Sequence, residues 1–260
     1  MGCQDMKINL NKNKNIGKVL FIVEGESTEF YILSKIFNKI FDYQYETIKR
    51  KKPYEVYNSK IDPLSRAFVI NTENSSIKSI QKNKDFLDNL FKQLIEDYDF
   101  NVDNAAIYYL FDRDRDSNTD ISFIKYLLNV LKNSRENDNY NEQGLFLLSY
   151  PSLESFIFSN FVDNSFIQEI KNGDELKQYL NNCKINQSKI NEKSLINATN
   201  EMIKAFNCLN ILDYDLDDFG STNNEIFIKQ ECHFNSNGKY RLLSLLCIAL
   251  LDLGLISIEI

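Results

Sequence analysis

The chain has 260 residues, of which 43% are hydrophobic and 13% aromatic, so it is long enough to bury one large core. Thirty Lys and Arg residues against 37 Asp and Glu residues give a net charge of −7. This charge argues against a protein that coats nucleic acid, because such proteins are usually basic. Only 8 Gly and 3 Pro exclude a collagen-like or linker-dominated chain, and 19 Phe with 14 Tyr argue against global disorder.

The N-terminal part of the chain predicts a polar arm followed by a strand and a helix. Residues 1–15 are polar and without periodicity, which predicts a flexible arm. Residues 19–23 form an uninterrupted apolar run, typical of a strand buried on both faces. A turn with Gly25 follows, and Ser27 or Thr28 is suited to cap the helix after it.

Predicted strands and helices continue to alternate through the middle of the chain. Residues 43–72 predict two short strands, 43–48 and 67–70, separated by a basic loop that contains proline. Pro151 occupies a favourable early position for a helix over 151–161. The remaining elements are predicted from helical spacing or continuous apolar runs: a helix over 77–98, a strand over 105–111, a helix over 119–133 and a strand over 145–149.

Strands that alternate with helices predict an α/β protein with a mainly parallel sheet flanked by helices. Beyond residue 163 the pattern becomes mostly helical. We therefore expect three regions: an arm over 1–15, an α/β domain over 16–162, and a helical C-terminal extension over 163–260 packed on it. The apolar stretch 242–260 contains Asp252 and Gly254, which favours a buried helix and short tail over a membrane span.

The histidine and cysteine content limits the catalytic mechanisms and metal sites that the chain can have. His233 is the only histidine, which excludes Ser-His-Asp and Cys-His mechanisms and a histidine-rich zinc site. The five cysteines are scattered, with no Cys-x-x-Cys pair and no secretory signal at the start of the chain. We expect a reduced, cytoplasmic protein without membrane association.

Acidic residues follow three of the predicted strands. Glu24 follows the first long strand, Asp112 and Asp114 follow the strand over 105–111, and Glu154 comes shortly after the strand over 145–149. In parallel sheets, functional groups gather beyond the carboxyl ends of the strands. Clustered carboxylates repel one another unless a cation neutralises them, and hard oxygen ligands suit Mg²⁺ or Mn²⁺. Any one of these acids alone is explained better as a solvated helix cap, and it is the set at three strand ends that favours a metal site.

These residues carry a family resemblance. The turn Val23-Glu24-Gly25, with Thr28-Glu29 after it and Asp112-x-Asp114 after a later strand, resembles the TOPRIM domain of topoisomerases, primases and OLD-type nucleases. Within that superfamily the chain looks most like RloB-like and OLD-related bacterial anti-phage proteins. The segment 149–156, Ser-Tyr-Pro-Ser-Leu-Glu-Ser-Phe, is similar to the Ser-Asn-Pro-x-Phe-Glu-x-Trp signature of that group. The resemblance covers about residues 17–162, and Tyr150, Phe156 and Asn160 depart from it.

The resemblance implies a divalent-metal-dependent nuclease that acts on DNA or RNA in bacterial anti-phage defence. It implies Glu24, Asp112 and Asp114 as principal metal ligands, with Glu29 and Glu154 supporting a second Mg²⁺ or Mn²⁺ ion. Gly238-Lys239 is faintly similar to a Gly-Lys near the end of related nucleases, which makes Lys239 a further catalytic candidate.

Two groups of basic residues are candidates for contact with nucleic acid. Residues 49–52 form the densest basic run, and Arg113 with Arg115 interleave the acids after the strand over 105–111. The run is explained at least as well as a solvated loop, and the arginines equally well as partners of neighbouring carboxylates. The basic run consists of Lys49, Arg50, Lys51 and Lys52.

Two other functions compete with a nuclease. Strand-Asp112-x-Asp114 superficially matches the nucleophile and acid of HAD-like phosphatases, although Asp116 stands where Thr or Val is expected and Glu24 stays unexplained. The chain could also be a non-catalytic TOPRIM module that forms a homo-oligomer or binds an ATPase or other defence protein. For that function the apolar stretch 242–251 would be a docking helix, unless it closes the protein's own core.

Overall fold

A mixed, mostly parallel sheet flanked by helices forms the centre of the protein. The computed structural model describes residues 7–25, 27–48, 54–71, 86–97, 100–136 and 142–259. Four neighbouring strands are parallel, in the spatial order β8-β6-β2-β5. They are β2 Lys18–Val23, β5 Arg66–Asn71, β6 Ala105–Asp112 and β8 Gly144–Tyr150.

The continuous apolar runs of β2, β6 and β8 are explained by their position. β2 pairs with a strand on each side and is buried from residue 19 to residue 23, as are all seven residues of β8. A strand covered on both faces loses the alternation of polar and apolar residues. The predictions of these buried strands and of their parallel pairing are therefore confirmed.

The edges of the sheet are antiparallel. β3 Gln44–Ile48 pairs with β4 Tyr54–Asn58, which pairs with β5. Because β4 begins directly after the basic run, the prediction of a loop between the two short strands is wrong for residues 54–58. At the other edge β8 pairs with two short strands, β7 Lys132–Asn133 and β11 Leu243–Ser244.

Helices cover the sheet and build the C-terminal region. The predicted helix over 77–98 is described only from residue 86, and the helix predicted from Pro151 begins at Glu154 instead. The helix α1 continues over Lys35–Ile40 as π-helical turns. The helices are α1 Thr28–Ser34, α2 Phe86–Glu96, α3 Ile121–Val130, α4 Glu154–Phe161, α5 Gly173–Asn182, α6 Glu192–Cys208, α7 Phe219–Asn237 and α8 Leu246–Asp252.

The two ends of the described chain pair with each other. β1 Lys7–Leu10 is antiparallel to β12 Ile256–Glu259, and Ile8 is buried in the core. The expectation of a flexible arm is therefore wrong for residues 7–10. The pairing partner lies at the other end of the sequence, so no local pattern could indicate it.

The C-terminal region is continuous with the α/β core. All ten residues of the stretch 242–251 are buried, and β11 within it extends the main sheet. This stretch closes the protein's own core, and the hypothesis that it docks a partner is wrong. Two small strands, β9 Glu169–Ile170 and β10 Tyr240–Arg241, pair within the same region. Among the described helices, none is long and apolar enough to cross a membrane.

Candidate functional site

The parallel register brings the acidic residues together at one edge of the sheet. Val23 of β2 lies beside Leu110 of β6, and Asp112 at the end of β6 lies beside Ser149 of β8. Glu24 follows Val23 directly, and the backbone N–H of Asp112 donates a hydrogen bond to Glu24 Oε2 at 2.8 Å. Two acids 88 residues apart in the chain are therefore in direct contact.

These strand ends open into a cleft of about 460 Å³, which we call the acidic cleft. Among the residues the structure describes, Lys177 is the one basic side chain on its wall. Its acidic wall residues are Glu24, Glu29, Asp112, Asp114, Asp116, Glu154 and Asp174. The five carboxylates predicted as metal ligands are all in this set.

The proton affinity of Glu24 and Asp112 is raised in the cleft. Burial raises the pKa of Glu24 to about 7, and the charges of Glu29 and Asp114 add to this effect. Hydrogen bonds from the Asp112 backbone and the Asn118 side chain oppose it. The pKa of Asp112 is also raised well above its ordinary value, first by burial and then by the charge of Glu24. Like charges held together away from water resist ionisation.

Glu29 and Glu154 reach the cleft from the first turns of α1 and α4. The backbone N–H of Gly25 donates to Glu29 Oε1 at 3.2 Å, and Ser152 Oγ donates to Glu154 Oε2 at 2.7 Å. Lys177 Nζ lies 3.9 Å from Glu154 Oε1, and its side chain keeps 57% of its surface exposed. Burial raises the pKa of Glu29, and the charge of Glu154 adds to the effect.

Asp114 joins the sheet edge to the start of α5. Its Oδ2 accepts a hydrogen bond from the Gly173 N–H at 2.7 Å, and its Oδ1 accepts one from the Asp116 N–H at 2.9 Å. The side chain of Asn172 caps α5 by accepting the Glu175 N–H, and its amide donates to Asp116 Oδ2 at 2.8 Å. The C-terminal region therefore supplies part of the cleft wall.

The sequence interpretation missed that contribution. Asn172, Asp174 and Lys177 lie beyond the region covered by the resemblance. The run Asn172-Gly173-Asp174-Glu175 is a recognisable start of a helix, with a capping residue and acids in the first turn. That signal predicts the helix but not its position against the sheet.

Arg113 and Arg115 point away from the cleft. The guanidinium of Arg113 has no exposed surface and donates to both oxygens of Glu231, at 2.7 and 2.9 Å. Arg115 donates to Glu231 Oε2 at 2.6 Å and lies over the ring of Phe234 at 4.3 Å. A fully buried guanidinium cannot reach a nucleic acid, so that assignment is wrong for Arg113. For Arg115 the structure favours the alternative of a partner to a carboxylate.

The other basic candidates do not reach the cleft. Lys49, Arg50, Lys51 and Lys52 lie outside the described residues. Lys239 is exposed in a bend after α7 and is not on the described cleft wall, so its catalytic assignment has no support there. Gly238 ends α7 in the left-handed conformation, with φ of 70°. The Gly-Lys pair is thus explained as the end of a helix.

The donor chemistry of the cleft fits a hard divalent cation. Carboxylate oxygens are the ligands that Mg²⁺ and Mn²⁺ prefer, and a cation would offset the repulsion between Glu24 and Asp112. Within the described ranges, no three Asp, Glu, His or Cys side chains already form a group that could hold a metal ion. The carboxylates would therefore have to turn toward one another to share an ion.

Comparison with known proteins adds no identification. No protein-family model matches the chain, and no curated protein or solved structure is significantly similar to it.

Proposed function

We propose that this protein is a divalent-metal-dependent nuclease of the TOPRIM type, which hydrolyses phosphodiester bonds in DNA or RNA. The observation that carries the proposal is the convergence of Glu24, Asp112, Asp114 and Glu154 from three strand ends into one cleft. Such convergence is the arrangement that the sequence resemblance implies.

Charge explains why this cleft needs a cation to bind a substrate. Seven acidic side chains and Lys177 line the described wall, so the bare cleft repels a phosphodiester. Glu24, Asp112 and Asp114 would hold the ions, with Glu29 and Glu154 supporting a second one. When bound, Mg²⁺ or Mn²⁺ supplies a hydroxide from water and neutralises charge on the attacked phosphate.

The chain's own groups would orient the reacting parts. The backbone N–H groups of Asp112, Leu153 and Gly173 each hold one oxygen of a cleft carboxylate, at 2.8, 2.9 and 2.7 Å. These contacts restrict the rotation of Glu24, Asp112 and Asp114. Lys177 is exposed at the cleft and is the described cation best placed to contact a phosphate oxygen.

The sequence resemblance also supports a proposal for the biological role of the nuclease. Because the chain resembles RloB-like and OLD-related proteins, we propose that it is an effector of bacterial anti-phage defence. Its partner would be an ATPase or another copy of the chain. The phosphatase alternative is weaker, because it leaves Glu24, Glu29 and Glu154 without a role.

The test is incubation of the purified protein with supercoiled plasmid, single-stranded DNA and tRNA. We expect cleavage of at least one substrate with Mg²⁺ or Mn²⁺, no cleavage with EDTA, and cleavage at least about a hundredfold slower by an Asp112→Asn protein prepared in the same way. The variant excludes a contaminating nuclease. Intact substrates under every condition would instead favour a non-catalytic partner module.

A further inference from the structure

A second depression continues from the acidic cleft and differs from it in charge. It has a volume of about 660 Å³, within the range of typical ligand pockets, and we call it the flanking groove. It shares Ser27, Thr28, Glu154 and Lys177 with the acidic cleft. Whatever extends out of the cleft on this side must therefore lie along the groove.

One face of α5 and its C-terminal turn form the wall of the groove. Lys177, Leu180 and Asn181 are spaced as i, i+3 and i+4, which places them on one side of α5, and Lys184 lines the groove just beyond the end of the helix. Leu180 and Ile157 of α4 are buried and give the groove an apolar floor. The groove thus combines an apolar floor with polar and basic groups along α5.

Lys184 is held at the far end of this face by an unusual backbone conformation. The N–H of Lys184 donates to the Asn181 carbonyl and the N–H of Ile185 to the Leu180 carbonyl, which closes α5 with a Schellman motif. Lys184 occupies the left-handed position of that motif, with φ of 55°, where glycine is favoured. The other described non-glycine residues with positive φ are all Asp or Asn. A long basic side chain at this position is costly for folding and suggests a role for the ammonium group.

The charge of the groove suits a polyanion. Lys177 and Lys184 line it, and Glu154 is the one acid on its described wall. Lys184 is exposed, and among the described residues no carboxylate lies within ion-pair distance of it. Asn181 and Gln187 add side-chain amides, each with donors and an acceptor that can pair with the edge of a base.

We propose that the flanking groove binds the single-stranded part of a nucleic acid next to the phosphate that is cut. Lys184 would contact a backbone phosphate, and an unpaired base would lie over Ile157 and Leu180. This inference rests on the proposed function for the position of the cut, but strand binding can be measured without cleavage.

The experiment measures fluorescence anisotropy of labelled single-stranded DNA, single-stranded RNA and duplex DNA, with the full-length chain and across a range of salt concentrations. Ca²⁺ replaces Mg²⁺ in the buffer, because it also binds carboxylate oxygens and so offsets the repulsion of the acidic cleft. We expect Lys184→Glu to weaken single-strand binding roughly fivefold to tenfold. It should also lower the slope of log K against log salt by about 0.7 for the lost phosphate contact.

Lys184→Gly separates binding from folding. It removes the ammonium group while glycine suits the left-handed position, so we expect weaker binding without a lower melting temperature. Lys125→Glu is the matched control, because Lys125 is exposed on α3 outside both depressions and its replacement changes the net charge equally. That control should keep the wild-type salt dependence.

The outcomes distinguish this inference from the proposed function. If the wild type cleaves nucleic acid and the Lys184 variants bind and cleave as the wild type does, the strand-binding role of the groove is wrong. The proposed nuclease activity is then unaffected. If the wild type does not cleave but its strand binding still depends on Lys184, the proposed nuclease activity is wrong and the strand-binding role of the groove is supported. Preference for duplex over single strands, or equal loss in Lys125→Glu, would also overturn the groove.

Discussion

The five residues from Asp112 to Asp116 separate two regions of opposite electrostatic character. Asp112, Asp114 and Asp116 line the acidic cleft, where carboxylates face one another. Arg113 and Arg115 lie on the other side and share Glu231 in a buried cluster with Tyr240. Asp112 ends β6 and residues 115–117 form a turn, so the side chains of one short segment build both regions.

The difference between the two regions is whether each charged group contacts a group of opposite charge. In the arginine cluster every guanidinium meets a carboxylate, and the arrangement stabilises the turn. In the acidic cleft no arginine lines the described wall, and burial together with neighbouring carboxylates raises the pKa values of Glu24 and Asp112. The first region is expected to govern stability and the second to govern activity.

The largest expected effect is on the arginine cluster. Glu231→Gln leaves Arg113 buried without a carboxylate, and we expect unfolding free energy to fall by about 3–5 kcal/mol in urea denaturation. Glu225→Gln on the same helix is the control. It breaks a partly exposed pair with Lys229 and should cost less than about 1 kcal/mol. Equal losses in the two variants would show that the cluster is not a special source of stability.

In the acidic cleft we expect a substitution to lower activity without lowering stability. Asp112→Asn keeps an oxygen for the Leu153 N–H and removes a carboxyl group whose ionisation is opposed by burial and by the charge of Glu24. We expect metal-dependent cleavage to fall by about 10²–10³-fold, while the melting temperature in EDTA does not fall. Asp213→Asn, an exposed acid outside the cleft, should change neither quantity. An Asp112→Asn protein that is less stable but fully active would reverse the roles assigned to the two regions.

The cleft should also make stability depend on pH. Because the folded-state pKa of Glu24 is raised to about 7, the folded protein binds more protons than the unfolded chain between about pH 4.5 and pH 7. Stability in EDTA should therefore fall across this range as pH rises, by on the order of 2 kcal/mol. Glu24→Gln should flatten the profile. A wild-type profile that rises over the same range would argue against the raised pKa.

The smallest effect concerns the contact between α5 and the cleft. Asn172→Ala and Asn191→Ala each remove a helix cap, and each should cost about 1 kcal/mol of stability. Only Asn172 also donates to Asp116, so only its replacement should reduce cleavage, by a few-fold. Equal cleavage activity in the two variants would mean that α5 contributes to the stability of the fold but not to cleavage.

The sequence was sufficient to predict the central strands and the acids at their ends. Residues 19–23, 105–111 and 145–148 are continuous apolar runs because neighbouring strands and helices cover both faces, a local signature of burial. Parallel strands end at one sheet edge, so Glu24 and Asp112 could be expected to meet before their contact was seen.

Contacts between distant segments were decided by the tertiary structure alone. Glu231 reaches Arg113 from 118 residues away, and residues 7–10 pair with the far end of the chain. Lys177 and Lys184 face the cleft and groove only because α5 docks beside Asp114. Periodicity reports which face of an element is buried, whereas the partner of that face depends on how the whole chain packs.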